Sequence, residues 1–190
     1  MFVDMDRLGL LVGRAAHGDD AAAEALVRAT YPDVHRLCCA LVDRRAADDL
    51  AQDVFVRVLR ALGGFRGGSS ARTWVLSIAR RTCMDELRGR HRRRLRDANR
   101  AALGLDVPGT GQDPVQASTV SDLLSRLAPE RRAAFVLTQE LGLTYEEAAA
   151  VLDCPVGTVR SRVARARADL VALLGTAPAE EPARGSQGAC

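Results

Sequence analysis

The sequence predicts an all-α protein built as two small helical domains joined by a flexible linker. Three observations carry this. Apolar residues recur at helical spacing in successive blocks. The composition changes between Asp97 and Ala117, where alanine, glycine, aspartate and proline replace that spacing. And Thr144–Leu174 reads as two helices joined by a tight turn, the second one arginine-rich.

A chain of 190 residues holds one ordinary domain or two small ones. With four Phe, two Tyr and one Trp, a large aromatic-lined pocket is not expected. The net charge is only +3, so any nucleic-acid argument must rest on where the charge lies. All 27 basic residues are arginine, and alanine is abundant. This pattern fits a GC-rich genome and lowers the weight of any single arginine. The N-terminus, MFVDMDRLGLLVG, lacks the basic region of a signal peptide, and no run reaches membrane-spanning length. The reading is a cytoplasmic protein with no membrane insertion.

The five cysteines form no Cys-x-x-Cys, so no metal site and no cofactor are expected. His35 lies near Cys38 and Cys39, but inside an apolar helical pattern. Cys38, Cys39 and Cys83 read as small buried hydrophobes, and Cys190 as a free thiol on a polar tail.

The first helix, residues 1 to about 18, carries Leu8, Leu11 and Val12 and ends at Gly18. Asp19 or Asp20 caps the next, Ala21–Thr30. Pro32 interrupts or kinks it, and the pattern resumes through Val34, Leu37, Cys38 and Leu41. Asp43-Arg44-Arg45 reads as a turn. Asp48–Leu62, DDLAQDVFVRVLRAL, is a strong helix with Asp48 as its cap and acids in its first turn. Leu50, Val54, Val58 and Leu62 form its buried row, widened by Phe55 and Leu59. A second row, Asp49, Gln52, Asp53, Val56 and Arg60, shares another face. Such a row is most often a solvated face, yet Val56 makes it a mixed surface able to dock a basic helix.

Gly63–Ser70 is a glycine- and serine-rich loop from which Phe65 and Arg66 project. Phe65 either tucks onto the core or, with Ser69 and Ser70 nearby, receives an unstacked base. Ala71–Arg88 is the central helix of the first domain, with Trp74, Leu76, Ile78, Cys83, Met84 and Leu87 apolar. Arg72, Arg80 and Arg81 give it basic edges. Arg88–Arg96 holds six arginines in nine residues, a basic helix end or frayed tail suited to phosphate.

Beyond the linker, Ser118–Leu127 carries Val120, Leu123, Leu124 and Leu127 as an apolar row. Pro129 opens a helix over Glu130–Leu141, and Gly142 stops it. Thr144 caps the next helix, with Glu147 completing a capping box. Asp153-Cys154 breaks it, and Pro155 suits the first turn of the last helix. There Val156, Val159, Val163, Ala166 and Leu170 make a buried stripe. Gly157, Ser161, Ala164 and Arg165 lie opposite, flanked by Arg160 and Arg162. Small residues and forked donors on one face suit a helix entering the major groove. A solvated arginine face is the plainer alternative. The divisions are 1–96, 97–117 as linker, 118–175, and 176–190 as a tail disordered by composition.

The order of parts resembles the extracytoplasmic-function sigma factors, the two-domain group of the sigma-70 family. The segments that carry it are DDLAQDVFVRVLRAL within Ala21–Leu62, FRGGSSARTWVLSIARRTCMDELRGRHRRR, and LTYEEAAAVLDCPVGTVRSRVARAR. Within the family the chain is similar to the actinobacterial sigma C-like subgroup. The resemblance implies that 1–96 is sigma region 2 and 118–175 is region 4. Asp48, Asp49, Gln52, Asp53 and Val56 would dock on the clamp coiled coil of core RNA polymerase. Phe65, Arg66, Ser69, Ser70, Arg72, Trp74, Arg80 and Arg81 would read and melt the −10 element. The loop's departure from the family pattern leaves the base-capturing residue open.

Arg88, Arg90, Arg92 and Arg93 would hold upstream phosphates. Thr144, Tyr145, Gly157, Thr158, Arg160, Ser161, Arg162 and Arg165 would read the −35 element, with the domain's flanks on the polymerase flap. The linker would thread toward the active-site cleft and RNA exit channel. An anti-sigma factor, a partner common in the family, would cover the same acidic and DNA-facing surfaces. Packing of the two domains against each other is a second way to cover them.

No Walker-type loop, His-rich metal motif or convincing acid pair is present, so no catalytic activity is expected. A helix-turn-helix regulator acting without polymerase would account for 118–174 but not for the acidic helix, loop and basic block in series. A nucleic-acid-modifying enzyme would need catalytic groups, and His17, His35 and His91 are scattered.

Overall fold

The computed structural model describes residues 2–102 and 119–175. The remainder, including most of the expected linker and the whole 176–190 tail, lies outside the described residues. The described residues form eight α-helices: α1 Phe2–Ala16, α2 Asp20–Leu41, α3 Arg44–Ala61, α4 Ala71–Ala102, α5 Thr119–Ser125, α6 Pro129–Phe135, α7 Tyr145–Leu152 and α8 Val156–Gly175. No strand occurs among them.

Helix α2 begins at its Asp19 cap, whose carboxylate accepts the Ala22 N–H at 2.9 Å. It then runs unbroken through Pro32. The proline removes one helical hydrogen bond, and packing overrides it. Thr30 and Val34 on either side are buried, and the Thr30 hydroxyl donates to the Leu26 carbonyl at 2.8 Å. Helix α3 starts five residues earlier than an Asp48 cap would place it. Asp43 is its N-cap and accepts the Ala46 N–H at 2.9 Å. Asp48 is therefore not a cap but an exposed residue of the second turn, and Arg44 and Arg45 are helical.

Helix α4 is 32 residues long, about 48 Å at the usual rise. It does not end near Arg88 but continues to Ala102, so residues 97–102 belong to helix rather than linker. Its first half is in the core through Val75, Leu76, Ala79, Cys83 and Met84. From His91 to Arg100 every residue is exposed. The arginines there have good helix propensity, and close spacing along a supported helix lets the turns propagate from it.

In the second half, Val120 is 64% exposed, against its expected place in a buried row; Leu124 and Leu127 supply the burial. The helix opened by Pro129 is not uniform: α6 ends at Phe135 and a π-helical turn, Val136–Glu140, follows. Gly142, at φ +67°, then closes it, with the Leu143 N–H reaching the Leu137 carbonyl at 3.0 Å.

The halves pack on each other. Helix α6 and its π turn lie against α2, and α7 lies against α4. Their buried side chains join one continuous core. Arg132 is buried at this junction without a carboxylate. Its guanidinium donates to the Leu127 carbonyl at 2.9 Å and to that of Ser125, both in its own half. It also reaches the Ala40 and Leu41 carbonyls at 3.3 and 3.2 Å, at the C-terminal end of α2. Carbonyls at helix ends carry partial negative charge, which suits a cation. Burial alone still lowers the Arg132 pKa from its ordinary value.

Candidate docking and nucleic-acid interfaces

The exposed face of α3 carries Asp48, Asp49, Gln52, Asp53 and Val56. Val56 is 46% exposed and Leu59, expected in the core, is 42% exposed beside it. Asp49, Gln52 and Asp53 have no hydrogen-bond or ion-pair partner among the described residues. Asp48 differs, because its carboxylate meets His35 Nε2 at 2.9 Å. His35 is stacked on Tyr31, which is stacked on Phe55. Asp48 alone of the row is thus tied to an aromatic column that joins α2 to α3. Two exposed apolar side chains amid uncompensated carboxylates form a surface suited to a basic, partly apolar partner.

The 63–70 loop does not project Phe65. That ring is half-buried, 5.2 Å from the half-buried Trp74 ring and tilted 53° to it. Arg66 is exposed. Ser70 begins α4: its hydroxyl accepts the Thr73 N–H at 3.1 Å and pairs with the Thr73 hydroxyl at 2.8 Å. Ser70 is thus a helix cap, while Ser69 is half-exposed beside it. On α4, Arg72 donates to the Asp33 carboxylate at 2.7 Å and to the Leu141 carbonyl at 2.8 Å, spanning the two halves. Arg81 donates to the Ser77 carbonyl and hydroxyl at 3.2 and 3.1 Å. Arg80 is half-buried, and its Nε has no partner.

The four arginines assigned to phosphate divide by their partners. Arg90 pairs with Asp43 and Glu86, Arg93 with Glu86 at 3.0 Å, and Arg88 with Asp85 at 3.2 Å. Arg92 has no carboxylate partner among the described residues. Arg90 is half-buried and clamps α4 onto the N-terminus of α3. Burial works to raise the Asp43 carboxyl, but the Arg90 guanidinium and the Ala46 N–H outweigh it and hold it below the usual range.

Helices α7 and α8 form the helix-turn-helix. The Thr144 hydroxyl accepts the Glu147 N–H at 3.1 Å, and the Glu147 carboxylate accepts the Thr144 N–H at 2.8 Å. Asp153 caps the C-terminus in the left-handed region at φ 50°, a conformation its short polar side chain tolerates. Pro155 stands just before α8 and its carbonyl accepts the Thr158 N–H at 2.9 Å. Val159, Val163 and Ala166 face the core; Val156 and Leu170 are half-buried. Gly157, Arg160, Ser161 and Arg165 are exposed on the other side, and a Cβ at Gly157 would meet open space. Thr158 and Arg162 are half-exposed, and Arg162 reaches Cys154 Sγ at 3.6 Å. The arginines at 160, 162 and 165 have no carboxylate partner, so their charge faces outward uncancelled.

The family models of sigma-70 region 2 and sigma-70 region 4 match residues 26–93 and 118–170. The chain is 41% identical over 179 residues to the ECF RNA polymerase sigma factor SigC of Mycobacterium tuberculosis, covering 89% of this chain and 92% of that one. The chain belongs to the extracytoplasmic-function (ECF) sigma factors of the sigma-70 family. This sigma factor is also 36% identical to the RNA polymerase sigma-H factor of Pseudomonas aeruginosa, with 83% and 88% of the two chains covered. Among solved structures, CnrH in complex with the cytosolic domain of CnrY superposes with a TM-score of 0.68 at 29% identity, covering 89% and 97%. RpoE in complex with the anti-sigma factor NepR, from Bartonella quintana, gives 0.64 at 27%, covering 80% and 96%.

An ECF sigma factor directs core RNA polymerase to promoters at transcription initiation. In this one α7 and most of α8 lie inside the region 4 match, and α3 with most of α4 inside region 2. No described helix is long and apolar enough to cross a membrane. No group of three metal-ligating side chains is gathered among the described residues. Several partners had no signal in the sequence. Asp33, Leu141 and Arg132 act through contacts across distant segments, and a carbonyl as acceptor leaves no residue-type trace. Asp43 could have been found: an aspartate three residues before an alanine-rich helical start is a cap pattern.

Proposed function

We propose that the polymerase dock is the exposed α3 face of Asp48, Asp49, Gln52, Asp53 and Val56, with Leu59 added. Its partner would be the clamp coiled coil of core polymerase. The observation that supports this most is that Asp49 and Asp53 have no partner among the described residues and stand beside two exposed apolar side chains. A basic helical partner would neutralise that row and cover the apolar pair.

In the same reading, region 2 spans 1–96 together with the helical continuation to 102, and region 4 spans 118–175. Trp74, Arg80, Arg81, Arg66 and Phe65 take the −10 element; Phe65 must leave Trp74 to receive a base. Ser69 and Ser70 shape the loop, Ser70 by capping α4. Arg92, and the exposed arm beyond it, hold phosphate, while Arg90 holds the fold. Thr144, Tyr145, Gly157, Thr158, Arg160, Ser161, Arg162 and Arg165 take the −35 element, and the flap lies on the region 4 flank. Strand opening draws on captured bases, not on nucleotide hydrolysis, so the protein itself makes no bond and needs no cofactor. It works in the cytoplasm. The RpoE structure holds the anti-sigma factor NepR, and we extend an anti-sigma partner to this chain.

The packed halves are the resting arrangement in this reading. Helix α7 covers part of α4, and Arg72 is engaged by both halves. Promoter reading requires the halves to part. The test is a pull-down with core polymerase followed by run-off transcription. Full-length protein should retain polymerase and give a promoter-specific transcript. A variant reversing Asp49 and Asp53 should lose both while its circular dichroism is unchanged; unchanged retention would refute the α3 dock.

A further inference from the structure

We propose that Tyr145 is a positioning residue for the −35 contact: its ring sets the direction of the Arg160 guanidinium before DNA arrives. The inference rests on the reading of α8 as the −35 helix and deepens it.

The geometry comes from two helices at once. Tyr145 is the first residue of α7, and the Thr144–Glu147 capping box fixes that turn from both sides. Its ring is half-buried and packs against the core, so its position does not depend on DNA. Arg160 lies on the first turns of α8, exposed, with its guanidinium carbon 5.8 Å from the Tyr145 ring centroid. That is within the range in which a cation is attracted to an aromatic face.

The surrounding charges leave this contact as the determinant. The acids of α7 are Glu146 and Glu147; the Glu147 carboxylate is occupied by the Thr144 N–H, and neither pairs with Arg160. Arg160 therefore has no carboxylate to hold it. An ion pair would orient the guanidinium but cancel its charge. An aromatic face orients it and leaves all five donors and the full charge available.

The other outward arginines of α8 are held differently or not at all. Arg162 leans on Cys154 Sγ and Arg167 donates to the Gln139 amide oxygen at 2.7 Å. Arg165 has no partner among the described residues. A pre-oriented arginine loses less rotamer freedom on forming a bidentate base contact. Arg160 is accordingly the arginine best prepared to discriminate bases, and Arg165 the adaptable one.

The experiment uses full-length protein with core polymerase and measures binding to promoter DNA carrying each base at each −35 position. Four variants are compared: Arg160→Ala, Tyr145→Phe, Tyr145→Leu and the double variant Tyr145→Leu/Arg160→Ala. Arg160→Ala should flatten discrimination at one position or two neighbouring ones. Tyr145→Leu should lose about 2- to 5-fold of discrimination at those same positions. The double variant should be no worse than Arg160→Ala alone. Tyr145→Phe, which keeps the face, should lose less discrimination at those positions than Tyr145→Leu does.

If Arg160→Ala leaves every −35 preference intact, the reading of α8 as the −35 helix fails. If Arg160→Ala acts but Tyr145→Leu does not, or acts at other positions, that reading stands and the positioning role is refuted. Equal damage from Tyr145→Phe would assign the effect to the hydroxyl and likewise overturn the proposal. Melting curves of each variant separate these outcomes from loss of fold, because lost stability lowers binding to all sequences alike.

Discussion

Arg72 of region 2 donates a hydrogen bond to the Leu141 carbonyl of region 4 at 2.8 Å, while Asp33 holds the same guanidinium at 2.7 Å. One side chain therefore ties the halves with one neutral acceptor and one charged one. Charge-assisted contacts of this kind are the stronger sort, but a half-exposed one is screened. Replacing Asp33 with alanine should loosen Arg72 and shift dye-labelled region 2 and region 4 toward longer separations by energy transfer. Adding core polymerase to the wild type should produce a larger shift in the same direction. An unchanged separation in both cases would contradict the opening required for promoter reading.

Arg132 makes a second, buried tie. Its guanidinium satisfies carbonyls at the ends of α2 and α5, which would otherwise be left without donors. Removing it exposes those acceptors to an apolar environment, a cost of roughly 1–3 kcal/mol. Arg132→Met fills much of the volume and isolates the hydrogen-bonding loss. Urea unfolding of this variant should show a lower midpoint than the wild type. Arg132→Lys should recover only part of it, since an ammonium cannot fork between the two helix ends.

The Asp43–Arg90 pair gives a signed pH dependence. The folded state holds the Asp43 carboxyl below its ordinary value, through Arg90 and the Ala46 N–H acting against burial. A depressed carboxyl contributes stability that is fully present above the unfolded pKa, about 4. That contribution falls away as the pH drops through the lower, folded value. Asp43→Asn keeps a capping oxygen but loses the charge. The stability difference between wild type and Asp43→Asn should be steady from pH 6 to 8 and shrink below about pH 4. Because the Asp43 side chain is 44% exposed and solvent screens the pair, the difference should be no more than about 1 kcal/mol. A difference that grew on acidification would refute the pairing.

Much of this was legible in the chain because the signals were local. Thr144 with Glu147, Gly142 and the Val159–Val163–Ala166 stripe each declare themselves within one or two turns, and each stands where expected. The failures are of two physical kinds. Pro32, Val120 and Leu59 were decided by tertiary packing that a periodicity cannot see. The proline is carried inside α2 by buried neighbours, while the two apolar residues face outward. The extent of α4 was misread because arginine favours helix as much as it favours solvent, so a charge run did not mark a helix end. At the site, outward arginines and acids could be placed by spacing, but not their partners. Arg72, Arg88, Arg90 and Arg93 looked alike in sequence until acids from other segments and turns claimed them.

The α3 face leads to a test by charge. Asp49 and Asp53 lie around Val56 with no internal partners, so their reversal to arginine should leave stability within about 0.5 kcal/mol of wild type. Polymerase affinity should fall by about 10-fold or more, chiefly through slower association and a weaker salt dependence. Val56→Ser should instead act at all salt concentrations alike, since it removes apolar cover and no charge. Surface plasmon resonance across a salt series distinguishes the two. Identical salt profiles for both variants would contradict a mixed acidic and apolar dock.

The arginines supply a last division, between holding DNA and reading it. Arg92 has no carboxylate partner and lies on the exposed arm of α4, whereas Arg90 is claimed by Asp43 and Glu86. A phosphate contact contributes through counterion release and is blind to sequence, with a salt slope that falls by roughly one unit per contact removed. Arg92→Ala in the polymerase complex should therefore weaken binding to every promoter variant in proportion and flatten the salt slope. Arg90→Ala should instead lower the melting temperature, with a smaller change in slope. Ser161→Ala on α8 should do neither. It should alter preference at a −35 position while leaving the salt slope unchanged, because a hydroxyl releases no counterion. Anisotropy titrations over a salt series on two promoter sequences, with a melting curve of each variant, measure all three. A sequence-dependent loss from Arg92→Ala, or a uniform loss from Ser161→Ala, would exchange the roles assigned to α4 and α8.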